Sequence, residues 1–361
     1  MARFEYNFPS IRGVQAGRDY YVSMCPLKLI PKVFLFDEEE LSPELRAQRS
    51  LNRNRVPEIA NYITSNPNDY VFSALTASID GEVKFNPIGG DDEYERLGVL
   101  QVDMQSRFII NDGQHRRAAI EQAIRENSDV GEETIAVVFF IDRGLARSQQ
   151  MFADLNRYAV RTSKSLGLLY DHRNDSAKIA RLVAFKCDSF KGLVELDKTA
   201  LSDRSRKLFT LSSLNVATNE LLSGRKFTTS EIAAEAAIRF WSELAKHIPE
   251  WGLVRESKMT SGEIRRDFVH SHGVMLQAFG RVGAELARLK ANDYKKLGKL
   301  NKINWQRANT KDWEGRVLIG GRISKSSNSI ALASAFIKEK LGLSVTPDEA
   351  QAVTTFSKFR R

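Results

Sequence analysis

The sequence predicts an α/β fold, a mixed sheet with covering helices, followed by a mainly α-helical C-terminal domain. Three observations predict it. Short runs rich in β-branched and aromatic residues, such as TIAVVFFI at 134–141, alternate with helical patterns up to residue 157. Turn signals such as Asp80–Gly81 separate these runs. After residue 200, apolar residues recur mainly at helical spacing.

The first half contains strands and helices that follow one another around one sheet. Pro26 and Pro31 divide the apolar stretch 20–36 into two predicted strands. Asp80–Gly81 is typical of a hairpin turn. In order, the predicted elements are strands within 20–36, helices at 43–52 and from Pro57, a hairpin over 70–85, strands at 98–103, 107–110 and 134–141, and a helix over 145–157.

The second half has helical patterns at 176–187, 229–247, 262–291 and 327–341. The pattern over 229–247 begins at Thr229 or Ser230, which are N-capping residue types, and the last helix ends at Gly342. We therefore expect two domains, an α/β domain over 1–200 and a helical, basic domain over 201–361.

The composition is that of a soluble globular protein. Hydrophobic residues make up 42% and charged residues 27% of the 361. No apolar run approaches the roughly 18–20 residues of a membrane span, and the first residues do not have the pattern of a secretory signal. Cys25 and Cys187 lack a CxxC partner, which argues against a disulfide framework or a cysteine zinc site. We expect a cytoplasmic protein without a membrane partner.

The positive charge is concentrated in the second half. Residues 1–200 carry 26 Lys/Arg and 29 Asp/Glu, whereas residues 201–361 carry 28 and 16, within a net charge of +9. A one-sided basic domain attracts polyanions such as nucleic acid. The alternative is a protein that is simply basic, because net charge reports non-specific attraction and does not identify a site.

The segment FIINDGQHRRAAIEQAI, residues 108–124, predicts a strand, a turn and a helix. Gly113 permits unusual backbone angles or the close approach of another group. The first turn of a helix presents unpaired N–H groups that attract anions. His115, Arg116 and Arg117 lie in that turn, although the helix dipole disfavours cations there. A ligand phosphate would account for them.

A purely structural interpretation of this segment is equally open. In it, Asp112 caps the helix, His115 is packed or solvated, and the arginines are solvated or pair with Glu121.

The residues Asp112 to Arg116 spell DGQHR, the motif that names the DGQHR-domain family. The chain resembles that family, a branch of the ParB/sulfiredoxin-like superfamily, and residues 1–200 would then be its ParB-like domain. Residues 45–63 resemble the Arg-rich helix pair of the family, and FADLNRYAVRTSKSL at 152–166 resembles the segment after its central strand. INWQRANTKDWEGRV at 303–317 is similar to the DndB group in particular.

This resemblance implies a role in DNA sulfur modification, in which DndB proteins resemble regulators of the modification genes. Some superfamily members bind or hydrolyse nucleotides at the equivalent junction. The implied site comprises Asp112, Gly113, Gln114, His115 and Arg116, with Asn156 and Lys164 in the same cleft. No cysteine lies near the motif, which argues against sulfiredoxin-type thiol chemistry.

Two further basic segments are candidate phosphate contacts. Arg46, Arg49 and Arg53 have the spacing of one helix face, and Arg55 follows them. A solvated helix face is the alternative. Residues 288–325 hold eleven Lys/Arg and three Asp/Glu. We interpret Trp305 and Trp313 within this segment as core residues beneath a basic surface.

Three functions are compatible with the sequence. The first is a DNA-binding transcriptional regulator of a phosphorothioation gene cluster. The second is a DNA-stimulated nucleotide hydrolase, in which Asp112 or His115 positions water or metal and Arg116 stabilises phosphate charge, with a nucleoside triphosphate and Mg as cofactors. A DNA nickase is a variant of it, although no two-metal carboxylate set is recognisable.

The third function is a scaffold that contacts other sulfur-modification proteins or forms a homo-oligomer. No resident metal site is expected, because His270 and His272 lack a suitably spaced carboxylate. The regulator ranks first and the hydrolase second.

Overall fold

The computed structural model describes residues 4–34, 54–89, 94–143, 147–157, 162–202, 205–289 and 293–359. The chain divides into two compact units, residues 1–160 and 161–361. The expected division was at residue 200. The segment after residue 161 joins the second unit because its helices, Lys164–Tyr170 and Asp175–Lys186, pack on later helices of that unit.

The first unit is built on a seven-stranded mixed sheet, which confirms the predicted α/β character. Its strands are β1 (Glu5–Gln15), β2 (Arg18–Pro26), β3 (Leu75–Asp80), β4 (Val83–Pro87), β5 (Leu97–Asp103), β6 (Arg107–Asp112) and β7 (Thr134–Ile141). They lie in the order β4-β5-β1-β2-β7-β3-β6, and β3 runs parallel to β7 while the other pairs are antiparallel.

Four helices accompany this sheet in the part of the first unit that the structure describes. They are α1 (Ile30–Val33), α2 (Arg55–Ser65), α3 (Gln114–Glu126) and α4 (Ser148–Arg157). Ile63 on α2 and Ile120 on α3 pack into a core that contains the contacting rings of Phe8, Phe108 and Phe139. The predicted helix at 43–52 lies outside the described residues.

The structure corrects two predictions in this unit. The stretch 20–36 was expected to form two strands, but β2 ends at Pro26 and Pro31 lies in the first turn of α1, where the missing N–H of proline costs little. The expected hairpin over 70–85 is wrong: β3 pairs with β6 and β7, so both of its edges are occupied and β4 pairs with β5.

The second unit contains mainly helices among its described residues. They are α5 (Lys164–Tyr170), α6 (Asp175–Lys186), α7 (Leu211–Leu222), α8 (Ser230–Ala245), α9 (Pro249–Arg255), α10 (Ser261–Asp267), α11 (Gly273–Arg288), α12 (Thr310–Trp313), α13 (Ser327–Leu341) and α14 (Pro347–Phe359). Short strand pairs join Val194–Glu195 to Phe209–Thr210 and Leu318–Ile319 to Arg322–Ile323. A 3₁₀ segment spans Asp293–Lys302.

The core of the second unit is rich in tryptophan. Trp241, Trp251, Trp305 and Trp313 are all buried in it. The interpretation of Trp305 and Trp313 as core residues is therefore confirmed. Within the described ranges, no helix has both the length and the apolar character to cross a membrane.

Candidate functional site

The DGQHR segment forms the predicted junction between strand β6 and helix α3. Gly113 lies between the two elements with φ +109°, a conformation that L-residues rarely adopt. A Cβ atom at this position would lie 2.4 Å from Cδ2 of Leu75. Both the backbone angle and the close contact therefore require glycine here.

Arg116 is held by atoms of its own unit. Its Nη2 donates to Oδ2 of Asp112 at 2.7 Å, and its Nη1 donates to the carbonyl oxygen of Ala74 at 3.0 Å and to both oxygens of Ser73. Only 15% of the side chain is exposed. The carboxylate of Asp112 thus compensates a cation that the helix dipole alone would disfavour.

Arg117 has a similar role on the other side of the helix. Its Nε donates to the carbonyl oxygen of Phe34 at 2.9 Å, and its Nη2 donates to that of Pro31 at 3.2 Å. Its Nη1 contacts Oε2 of Glu121 at 2.5 Å, so the predicted pairing with Glu121 is confirmed for this arginine. The side chain is buried and fastens the 31–34 segment to α3.

Gln114 and His115 complete the first turn of α3. The buried Gln114 donates from Nε2 to the carbonyl oxygen of Ile110 at 3.2 Å. Burial lowers the pKa of His115, and the nearby Arg55, at the start of α2, lowers this pKa further. His115 is therefore neutral at pH 7, and the exposed guanidinium of Arg55 supplies a positive charge beside it.

A buried polar network behind the junction was missed by the sequence analysis. Asn111 is fully buried, donates from Nδ2 to Oγ of Ser78 at 2.7 Å and accepts from Oγ of Ser148 at 2.8 Å. The β3–β6 register shifts between Thr76 and Ala77, which leaves Asn111 without a register partner. Asparagine inside the otherwise apolar run FIIN was the available signal.

The other predicted site residues belong to other elements or lie outside the described residues. Arg46, Arg49 and Arg53 lie outside the described residues. Asn156 belongs to α4, and its side chain is also outside that description. Lys164 is exposed at the start of α5 and lines a pocket of the second unit. The structure thus groups Asp112, Gly113 and Arg116, and it places Arg55 near His115.

Of the cations at the junction, Arg55 is exposed to solvent and lies near His115. The guanidinium groups of Arg116 and Arg117 instead contact carboxylates and carbonyl oxygens of the protein. Among the described residues, no group of three or more His, Cys, Asp or Glu side chains could hold a metal ion.

One family model matches almost the whole chain. The model of DndB, described as DNA-sulfur modification-associated, matches residues 8–344. Comparison with curated proteins finds no match, and comparison with solved structures finds none either. The match spans both units, including the DGQHR junction and the basic segment 288–325. The chain therefore belongs to the DndB family of DNA-sulfur modification-associated proteins.

Proposed function

We propose that this protein is a DNA-binding transcriptional regulator of a DNA phosphorothioation gene cluster, with DNA and other sulfur-modification proteins as its partners. Family membership supports the association with DNA sulfur modification. The observation that carries the proposal is the charge of the two units. Residues 1–160 hold 18 Lys/Arg and 24 Asp/Glu, a net charge of −6, whereas residues 161–361 hold 36 and 21, a net charge of +15.

The division of the chain at residue 160 strengthens the charge argument. With a boundary at residue 200, the net charges of the two parts are −3 and +12, and the difference between them is smaller. Within the second unit, the basic segment 288–325 has exposed Lys295, Lys302 and Arg322, while Trp305 and Trp313 are buried. Because these tryptophans are buried, they cannot stack on bases. We therefore expect the basic side chains of the segment to contact phosphate oxygens.

Fluorescence anisotropy tests the proposal with a duplex from the promoter of the modification genes and a scrambled duplex. The double variant Lys295→Glu/Lys302→Glu should bind DNA at least tenfold more weakly, and the slope of log affinity against log salt should become shallower, by about 0.9 for each lost phosphate contact. The matched control is Lys32→Glu/Lys84→Glu, which changes two exposed lysines of the first unit. Equal, weak binding of both duplexes by the wild type would contradict a regulator.

A nucleotide hydrolase that uses the DGQHR junction is the second candidate. The proximity of Arg55 to His115 at the start of α3 favours it. Arg116 would first have to release Asp112 and the carbonyl oxygens of Ser73 and Ala74 to reach a substrate phosphate. Phosphate release from ATP, measured with and without DNA for the wild type and for Arg55→Ala, tests this candidate. No release in either condition would eliminate it for ATP.

A further inference from the structure

The second unit contains a pocket of about 930 Å³, and no residue of the DGQHR motif is among the residues that line it. The N-terminal ends of three long helices line it. Ser212 and Ser213 come from the first turn of α7, Gly273 and Val274 from that of α11, and Lys325 precedes α13. The N–H groups of Ser212 and Ser213 already donate to Ser165 and Thr210, whereas α11 has no side-chain cap. The partial positive charge at the start of α11 can therefore attract an anion in the pocket.

The close approach of α7 and α11 forms one side of this pocket. A Cβ atom at residue 273 would lie 3.0 Å from Cβ of Ser213. Glycine at this position therefore allows the two helix starts to lie side by side, and both lie on the same pocket wall.

The charged side chains of the pocket are mostly basic. Among the described residues that line it, five are Lys or Arg and one, Glu263, is acidic. Glu263 accepts hydrogen bonds from the backbone N–H and the hydroxyl of Thr260, so it is occupied as a helix-capping residue. The basic residues that line the pocket are Lys164, Arg265, Arg266, Arg307 and Lys325.

These cations differ in how the protein holds them. Arg307 donates from Nη2 to the carbonyl oxygen of Gly321 at 2.6 Å, a contact that orients the guanidinium without neutralising its charge. Arg266 pairs with Asp267 at 2.8 Å. Lys164 and Lys325 are exposed and have no hydrogen-bond or ion-pair partner within the described ranges. Their ammonium groups are therefore available to a ligand.

The remaining surface of the pocket is partly apolar. Val216, which is 44% exposed, lines it together with serine and threonine residues, while Leu208, Phe209 and Ile330 lie buried beneath this wall. An elongated ligand with an anionic end and a less polar body would match this division. Ligand pockets commonly have volumes of about 300–1,000 Å³. The pocket therefore has room for a nucleotide-sized molecule.

We propose that this pocket binds a phosphorylated small molecule of nucleotide size. Its phosphate groups contact Lys164 and Lys325 near the start of α11, and its less polar body lies against the exposed Val216. This inference does not depend on the proposed regulatory function, since it concerns a small ligand and needs no DNA.

Isothermal titration calorimetry of the full chain with ATP tests the proposal. We expect saturable binding of ATP and at least tenfold weaker binding of adenosine, which lacks the phosphates. The variant Lys164→Glu/Lys325→Glu should lose at least tenfold in ATP affinity, because two attractive contacts become repulsive. Both lysines are exposed, so circular dichroism and the melting temperature should stay as in the wild type.

The matched control is Lys191→Glu/Lys226→Glu, two exposed lysines of the same unit that do not line the pocket. It should keep ATP affinity within about twofold. Absence of ATP binding by the wild type, or equal losses in the two double variants, would overturn the proposal.

A parallel titration with duplex DNA distinguishes binding of a free phosphorylated ligand from binding of the DNA backbone. If DNA binding falls in Lys164→Glu/Lys325→Glu while ATP binds to neither protein, the pocket recognises backbone phosphates and the small-molecule proposal is wrong. If ATP binding depends on the pocket while no duplex binds, the regulatory function fails and the pocket proposal stands.

Discussion

At the scale of single residues, the DGQHR motif acts first as a structural connection. Asp112 and Arg116 join the end of β6 to the segment before β3, and Arg117 holds the 31–34 segment against α3. The sequence identified the strand, the turn and the helix, because those are local patterns. The partners of the arginines could not be predicted, since Ser73 and Phe34 are distant in sequence and contribute backbone oxygens, which every residue type carries.

Gly113 should tolerate no side chain. Gly113→Ala combines a φ of +109° with a Cβ atom 2.4 Å from Leu75, so we expect it to lower the free energy of unfolding by about 1–3 kcal/mol or more. Gly167→Ala is the control, because that glycine lies in α5 and a Cβ there would meet nothing within 4 Å. Urea denaturation measures both. Equal effects would show that the junction is not constrained as described.

His272 should make stability depend on pH. Burial, together with the charges of Arg307 and Arg265, lowers its pKa from 6.5 to about 4, although the hydrogen bond to the carbonyl oxygen of Arg265 acts in the opposite direction. The unfolded chain therefore binds the proton more tightly than the folded chain. This contribution to stability is complete above about pH 6.5 and is lost as the pH falls towards 4, by about 2 kcal/mol between pH 7 and pH 5.

The variant His272→Gln separates this effect from other titrations. It should show a smaller loss of unfolding free energy between pH 7 and pH 5 than the wild type. His115, whose pKa is also lowered, titrates in both proteins. Parallel pH curves for the two proteins, measured by urea denaturation, would contradict the assignment to His272.

Among the secondary-structure elements, the strands predicted from the sequence are confirmed where the pattern of apolar residues agrees with the burial seen in the structure. The strands at 98–103, 107–110 and 134–141 correspond to β5, β6 and β7. Strand β1 was missed because Pro9 and Gly13 interrupt its sequence, and its place inside the sheet depends on pairing with distant β5. Which strands pair is set by long-range contacts, and short turn motifs do not determine them.

Helices α13 and α14 share a buried ion pair. Nζ of Lys338 lies 2.8 Å from Oε2 of Glu349, and these side chains are 2% and 0% exposed. Glu349 also accepts from Oγ of Ser334 and from the N–H of Thr346. Lys338→Met leaves a buried carboxylate without its cation, so we expect a loss of about 3–5 kcal/mol in unfolding free energy.

The double variant Lys338→Met/Glu349→Leu completes a thermodynamic cycle for this pair. It removes the uncompensated charge and should recover much of the stability lost in Lys338→Met. Urea denaturation of the four proteins gives the coupling energy. Additive losses from the two single changes would show that the two groups do not interact in solution.

At the scale of the whole molecule, the two units have opposite net charge. Composition predicted this asymmetry, because counting charges needs no structure. The place of the division at residue 160 was not evident, since the packing of α5 and α6 on later helices leaves no local pattern in the sequence.

Lysine acetylation footprinting tests the charge asymmetry directly. If DNA binds to the basic unit, adding duplex DNA should slow the acetylation of Lys295 and Lys302 by threefold or more, measured by mass spectrometry. Lys32 and Lys84, exposed in the acidic unit, should react at the same rate with and without DNA. Uniform protection of all four lysines would contradict binding through the basic unit.

The strand order of the sheet also has a consequence for synthesis on the ribosome. Strand β7, residues 134–141, pairs with β2 on one side and β3 on the other, so it is the last strand along the chain to enter the sheet. Until residue 141 has left the exit tunnel, β2 and β3 each have an open edge with apolar side chains. A nascent chain that stalls before this point would expose both edges to other chains, so the synthesis of β7 is the step that covers them.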